Sequence, residues 1–437
     1  MPILAKNPIV RELLRARGAE LARTEALPPA AIEEAVDAGR MVVLANPAHA
    51  GVTPTVIGQP ARVKVNANIG TSMLVTDVAM ELDKVRLAKD AGAHAVMDLS
   101  TAGDLVAIRR DILAGTDLPL GTVPLYAIAQ RLLAGGGDPS DFTEEDILAE
   151  IAAQAAAGVD FMTLHCGVTR HAVELAMTSG RITGIVSRGG SILGRYMQHH
   201  DRENPFLTRY DAILDICLAH NVTISLGDGL RPGCGADAGD GAQWEEVITL
   251  GRLAKRARER GVQAMIEGPG HVPLHLVQAQ IQAIKRLTDG APLYVLGPLT
   301  TDSAPGYDHI AGAIGGALAA YFGADFLCYL TPAEHLTLPS PKDVWDGVMA
   351  SRVAAQSAET ALGRPQAVER DRAMSAARAE LDWEAVASLA LDPEIVRQRR
   401  ANHRNEKECA MCGALCAMRM MTDDQFNCPE TDSRKIP

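Results

Sequence analysis

Near the C-terminus three cysteines fall within eight residues, as Cys409-Ala410-Met411-Cys412-Gly413-Ala414-Leu415-Cys416. Three thiolates on one short loop leave a coordination position open. On a [4Fe–4S] cluster the open position is an iron free for an external ligand, which S-adenosylmethionine chemistry requires. The same trio would make a structural zinc site if His403 or Cys428 supplied a fourth ligand. Spacing leaves both readings open, because the usual radical arrangement has the longer gap first and here it comes second.

A second set of reactive residues is spread along the middle of the chain. His165, His271, His309 and His335 are four of twelve histidines. Two of them at one pocket mouth would make a metal site, and spacing does not choose the pair. Ser187-Arg188-Gly189-Gly190 offers backbone N–H groups at a helix start, with Arg188 nearby, a chemistry that suits phosphate. Asp228 and Arg231 read as pocket groups or as an ion pair with each other. Glu267, four residues before His271, reads as a base or substrate ligand, or equally as a structural carboxylate.

These residues need elements to position them, and short apolar runs supply candidates. Strands are expected at Val63–Asn66, His94–Asp98, Pro119–Val123, Phe161–His165, Gly184–Ser187, Val222–Leu226, Ala264–Glu267, Tyr294–Leu296 and Phe326–Leu330. Amphipathic helical patterns lie between most of them, among them Val75–Ala91, Glu144–Ala157, Trp244–Arg260 and Leu276–Arg286. Strand–helix alternation implies parallel strands, since parallel neighbours need a crossover. Over roughly 270 residues it fits a (β/α)8 barrel better than an open doubly wound sheet. Nine candidates are one more than such a barrel takes. Seven of the strand ends run into polar, ionisable or glycine residues, and a barrel builds its site on that face. Residues 1–60 read as an N-terminal region with two short helical patterns and the run Met41–Leu44. The barrel is expected over 61–340, a charged helical segment over 341–400 and the cysteine-bearing tail over 401–437.

Composition narrows the function classes. The 437 residues carry a net charge of −12, which argues against a nucleic-acid surface or a basic membrane face, since both need clustered cations. The most apolar stretch, Ile310 to Ala324, is too short to span a bilayer. No apolar leader pattern follows Met1, so a cytoplasmic protein is expected. Cys166, Cys217, Cys234 and Cys328 are scattered and read as reduced residues, most of them in the core.

With these residues assembled, the sequence resembles the thiamin pyrimidine synthase family and its close paralogs, a non-standard radical S-adenosylmethionine group with a C-terminal cysteine motif. The resemblance runs from about Arg62 to Met418. It is carried by Lys64-Val65-Asn66-Ala67-Asn68-Ile69-Gly70, Gly184-Ile185-Val186-Ser187-Arg188-Gly189-Gly190 and Leu226-Gly227-Asp228-Gly229-Leu230-Arg231-Pro232-Gly233. It continues in Glu267-Gly268-Pro269-Gly270-His271-Val272-Pro273, Leu296-Gly297-Pro298-Leu299-Thr300-Thr301-Asp302 and Ala304-Pro305-Gly306-Tyr307-Asp308-His309.

The resemblance implies a (β/α)8 barrel that binds 5-aminoimidazole ribotide. It carries substrate contacts to Asn68, Met97, Tyr126, His165, Ser187, Arg188, Gly189, Asp228, Gly229, Leu230, Arg231, Glu267 and Tyr294, with Glu267 and His165 as the acid–base pair. It gives one divalent metal, zinc or iron, to His271 and His335, makes His309 a bystander, and gives the cluster to Cys409, Cys412 and Cys416. It further implies a homodimer, an external electron donor, and a 5′-deoxyadenosyl radical that abstracts hydrogen from the ribose.

Two products are open within this group: hydroxymethylpyrimidine phosphate, for thiamin, and 5-hydroxybenzimidazole, for the lower ligand of a cobamide. The chain has Thr337 where glycine is usual in the thiamin pattern, Gln356 where histidine is, Val63 where threonine is, and Ala102 where glycine is. Thr337 stands two residues from a proposed metal ligand. These departures lean the expectation toward the benzimidazole, with the pyrimidine as the alternative. A zinc-binding scaffold without turnover and a hydrolytic metal-dependent barrel using His271, His335 and Glu267 are more distant readings.

Overall fold

The computed structural model describes residues 2–420. It divides into two compact units, Met1–Leu362 and Gly363–Pro437. The first opens with helices Pro8–Glu25 and Pro29–Asp37, each begun by a proline, whose missing N–H costs nothing in a first helical turn. An antiparallel pair follows, β1 (Val42–Leu44) with β2 (Thr55–Ile57). Eight strands then alternate with helices: β3 (Lys64–Ile69), β4 (Ala95–Asp98), β5 (Leu120–Thr122), β6 (Phe161–Leu164), β7 (Thr223–Leu226), β8 (Ala264–Gly268), β9 (Leu293–Leu296) and β10 (Phe326–Cys328). They close in the order β10-β3-β4-β5-β6-β7-β8-β9, every pairing parallel. The fold is the (β/α)8 barrel that the alternation predicts.

Gly184–Ser187, the ninth candidate, is not a strand. Asp237 takes the N–H groups of Ile182 and Thr183 at 2.8 and 3.0 Å, and Gly184 turns through φ +63°. Backbone donors committed to a side chain, followed by a left-handed bend, offer no ladder to a neighbouring strand. The segment instead delivers Ser187 as the N-cap of helix Arg188–His200.

Alternation along each strand sorts the barrel interior into layers. Phe161 and Phe326 meet edge to face with ring centroids 6.3 Å apart, and Tyr294 lies 4.5 Å from Phe326. Gly121 on β5 makes room for this plug: a Cβ there would fall 2.2 Å from the Phe161 ring. Two residues further along the same strand faces come Thr163, Cys328 and Leu296, and then His165. An aromatic lower layer thus supports a polar upper one.

The opposite end of the barrel is sealed by the N-terminal segment. Asp160, Gln263 and Asp325 stand one residue before β6, β8 and β10, and all three are buried. Asp160 accepts from the Asn46 N–H and the Leu120 N–H at 2.7 Å each and pairs with His49 Nδ1 at 2.7 Å. Gln263 accepts from the Val43 N–H and donates to the Val43 carbonyl. Asp325 accepts from the Gln59 and Leu293 amides and pairs with Lys285.

Helix Pro341–Ala361 also belongs to the first unit. In the second, described by itself, helices Pro365–Ala379, Trp383–Leu389 and Pro393–Arg400 precede the cysteine turn. Among the described residues no helix is long and apolar enough to cross a membrane. The apolar stretch at 310–324 lies mostly on helix Asp308–Phe322.

The sealed end generates a stability prediction. Asp160→Ala strands the His49 ring and two buried amides, so it is expected to cost about 3–5 kcal/mol in urea denaturation. Asp83→Ala, which removes an exposed partner of Arg86, is expected to change stability by less than about 0.5 kcal/mol. Equal losses from the two would remove Asp160 from this role.

Candidate active site

The upper layer opens into a cavity of about 100 Å³ whose walls come from the strand ends: Asn68, Met97, Tyr126, His165, Asp228, Arg231, Glu267 and Tyr294 among them. Eight of the thirteen substrate positions expected from the sequence therefore meet at one place. Ser187, Arg188, Gly189, Gly229 and Leu230 do not line it directly. Leu230 is buried in the core. Ser187 Oγ lies 3.3 Å from His165 Nε2, and Gly189 lies so close to the imidazole that a Cβ would sit 2.2 Å from the ring. Glycine is required there by contact alone. Arg188 stacks over the Tyr126 ring at 4.6 Å and lines a neighbouring cavity of about 260 Å³. The two cavities share Asn68 and Leu99 as walls.

Charge in the main cavity is arranged around Arg231. Its guanidinium donates to Asp228 Oδ1 at 3.0 Å. Burial pushes Asp228 up to about 8 against the pull of Arg231, with Glu267 adding to the rise. Glu267 is also raised, chiefly by burial, although it accepts from Thr163 Oγ1 at 2.6 Å and Ser225 Oγ at 2.7 Å. Burial, with Arg231 nearby, depresses His165 to about 3, so the imidazole is neutral near neutrality. Among the described residues, His165 Nδ1 and Asp228 Oδ2 are buried without a hydrogen-bond partner. Buried polar atoms are rarely left so, and both belong to walls of the cavity, as a ligand-binding site requires.

Asparagine and thiol groups finish the wall opposite. Asn66 Nδ2 donates to Asn68 Oδ1 at 2.9 Å and to the Tyr294 hydroxyl at 2.8 Å, and Asn68 Nδ2 donates to Cys328 Sγ at 3.0 Å. Burial pushes the Cys328 thiol up to about 12.

His271 and His335 stand beside each other, ring centroids 5.4 Å apart. Asp302 holds His271 Nδ1 at 2.7 Å, and Asp308 holds His335 Nδ1 at 3.0 Å. A carboxylate on one ring nitrogen fixes the tautomer and turns the other nitrogen outward, the arrangement of metal-ligating histidines. The pair fits a divalent cation as two of its ligands. His309, next in sequence to Asp308, has a buried Nδ1 without a partner among the described residues and takes no part in the pair.

The cysteines lie in the second unit. Cys409, Cys412 and Cys416 are free thiols. The backbone amides of Cys412 and Met411, with the Cys412 thiol, hold Cys409 below the ordinary thiol range. Desolvation and the neighbouring Cys409 raise Cys412 in turn, and three thiols on one turn are a donor set that fits a cluster. His403, an alternative zinc ligand, is paired with Glu406 at 3.1 Å; Cys428, the other, lies outside the described residues. Among the described residues no three His, Cys, Asp or Glu side chains converge closely enough to hold a metal.

Sequence reasoning missed Thr163, Ser225, Cys328, Asp302 and Asp308. The first three stood at inward positions of their strands, a signal that parity counting would have found. Asp302 and Asp308 lay inside quoted motifs, but nothing local linked them to histidines 31 and 27 residues away.

Comparison with known proteins extends these observations. The profile of the Radical SAM ThiC family matches residues 8–423. A phosphomethylpyrimidine synthase of Moorella thermoacetica is 54% identical over 388 residues, covering 88% of this chain and 90% of that one. Phosphomethylpyrimidine synthases of Methanocaldococcus jannaschii and Methanopyrus kandleri are 48% and 50% identical, covering 96% and 92% of this chain and 98% and 95% of theirs. Matched along most of its length and carrying the thiols at its C-terminal end, the chain belongs to the radical SAM ThiC family, whose chemistry uses a [4Fe–4S] cluster and S-adenosylmethionine.

Proposed function

We propose that this chain converts 5-aminoimidazole ribotide to 4-amino-5-hydroxymethyl-2-methylpyrimidine phosphate, the phosphomethylpyrimidine synthase reaction. The observation that carries the reading is the name borne by relatives about half identical over nearly their whole length, from bacteria and archaea alike. The lean toward 5-hydroxybenzimidazole is corrected accordingly. The departures behind it also lie away from the main cavity, none of whose walls they form. The Val63 N–H donates to Glu359 Oε1 just before β3, Gln356 sits on helix Pro341–Ala361, and the Ala102 carbonyl accepts from Thr71. Thr337 lines the neighbouring cavity, together with Arg188 and His335.

In this reading the amides that begin helix Arg188–His200, together with Arg188, hold the ribotide phosphate. Arg231 and Asp228 orient the ribose. Asn68 and Tyr294 bound the imidazole, and neutral His165 accepts or donates a hydrogen bond through its free Nδ1. Glu267 moves the protons, its burial bringing a carboxyl toward the range where it both takes and returns one. When bound, the cluster and S-adenosylmethionine supply the 5′-deoxyadenosyl radical. Cys409, Cys412 and Cys416 would hold the cluster, and His271 and His335 a zinc or iron ion. A homodimer and an external one-electron donor complete the proposal.

Three outcomes test it. Reconstituted anaerobically with dithionite, S-adenosylmethionine and 5-aminoimidazole ribotide, the enzyme is expected to yield a phosphorylated pyrimidine by mass. A fluorescent, phosphate-free benzimidazole would overturn the assignment. Cys412→Ala is expected to abolish 5′-deoxyadenosine formation, read by chromatography; normal formation would remove the cluster from this turn. Glu267→Gln retains the shape and hydrogen-bond reach of the side chain but not its proton affinity. Its kcat is expected to fall on the order of 10²-fold or more, and an unchanged kcat would leave Glu267 a binding group only.

A further inference from the structure

Glu246 belongs to neither cavity, yet only 2% of its surface is exposed. It lies on helix Gly241–Arg260, outside the barrel wall. A carboxyl so buried needs donors, and its donor is the backbone of the site. Oε2 accepts from the Leu230 N–H at 2.7 Å, while Oε1 is buried without a partner among the described residues. A Cβ on Gly229 would fall 3.3 Å from Oε1, and one on Gly167 would fall 3.2 Å from Glu246 Cγ. Those two glycines belong to different turns. Gly167 follows His165 at the end of β6, and Gly229 follows Asp228 at the end of β7. One side chain is therefore wedged under both turns, the one that carries His165 and the one that carries Asp228 and Arg231.

We propose that Glu246 is a positioning residue, which sets the placement of the Asp228–Arg231 turn against His165 through its hydrogen bond to Leu230 and its contact with the two glycines. The inference rests on reading the main cavity as the ribotide site. Reach is what matters in this role. Glutamine keeps the side-chain length and an acceptor oxygen. Aspartate keeps the carboxyl but ends one methylene short of the Leu230 amide, and it withdraws the wedge from between the turns.

The test compares Glu246→Gln and Glu246→Asp in the reconstituted full-length enzyme. KM for the ribotide, kcat and the thermal midpoint are measured for each. Glu246→Gln is expected to stay within about threefold of the parent in KM. Glu246→Asp is expected to raise KM about tenfold, the size of one lost buried hydrogen bond, with kcat at saturating ribotide within threefold. A merely structural role would lower the thermal midpoint and kcat with no selective rise in KM. An unchanged KM in Glu246→Asp, or a Glu246→Gln as impaired as the aspartate, would overturn the proposal. A parent enzyme that turns over no ribotide would instead overturn the functional reading, and this inference with it.

Discussion

The barrel depends on a constraint at the end remote from the chemistry. Its strands are three to six residues long, so each contributes few ladder bonds, and eight such strands must still hold one register. Asp160, Gln263 and Asp325 meet that need by standing just before alternate strands and binding the N-terminal segment. Each is buried, and each accepts backbone N–H groups that would otherwise be stranded in the core. Satisfying polar groups at this end leaves the other free to carry unsatisfied ones.

That division explains how so much charge survives in the upper layer. Arg231, Asp228 and Glu267 lie above an aromatic floor, where isolated charges would be costly. Arg231 keeps its charge because it has acidic neighbours, and the carboxyls answer burial by shifting upward. Hydroxyls on β6 and β7 moderate the shift at Glu267 without cancelling it. The outcome is one fixed cation, two carboxyls of raised basicity and an imidazole that stays neutral, all facing the same small volume.

Much of this was legible in the sequence. Eight of the nine strand candidates match barrel strands, because parallel buried strands are short apolar runs separated by strongly periodic helices. The ninth misled because Gly184-Ile185-Val186-Ser187 has strand composition, and the Asp237 side chain that diverts its approach lies some fifty residues away. Polar strand ends pointed to one face of the barrel, and the family resemblance named Asn68, His165, Asp228 and Glu267 on it. The four departures that suggested another product were read without their surroundings, and none of them lines the main cavity. The seal at the foot of the barrel was not legible at all. His49 and Asp160 are separated by 111 positions, and no local pattern joins them.

The cysteine turn has its own brace. The Arg400 guanidinium lies over the Trp383 ring at 4.2 Å and donates to the carbonyls of His403, Glu406 and Glu408, while the Trp383 indole donates to Lys407. The loop leading into Cys409 is thereby held by contacts of the protein's own side chains and carbonyls. A change at Trp383 or Arg400 would therefore loosen the approach to Cys409 while removing none of the three thiols.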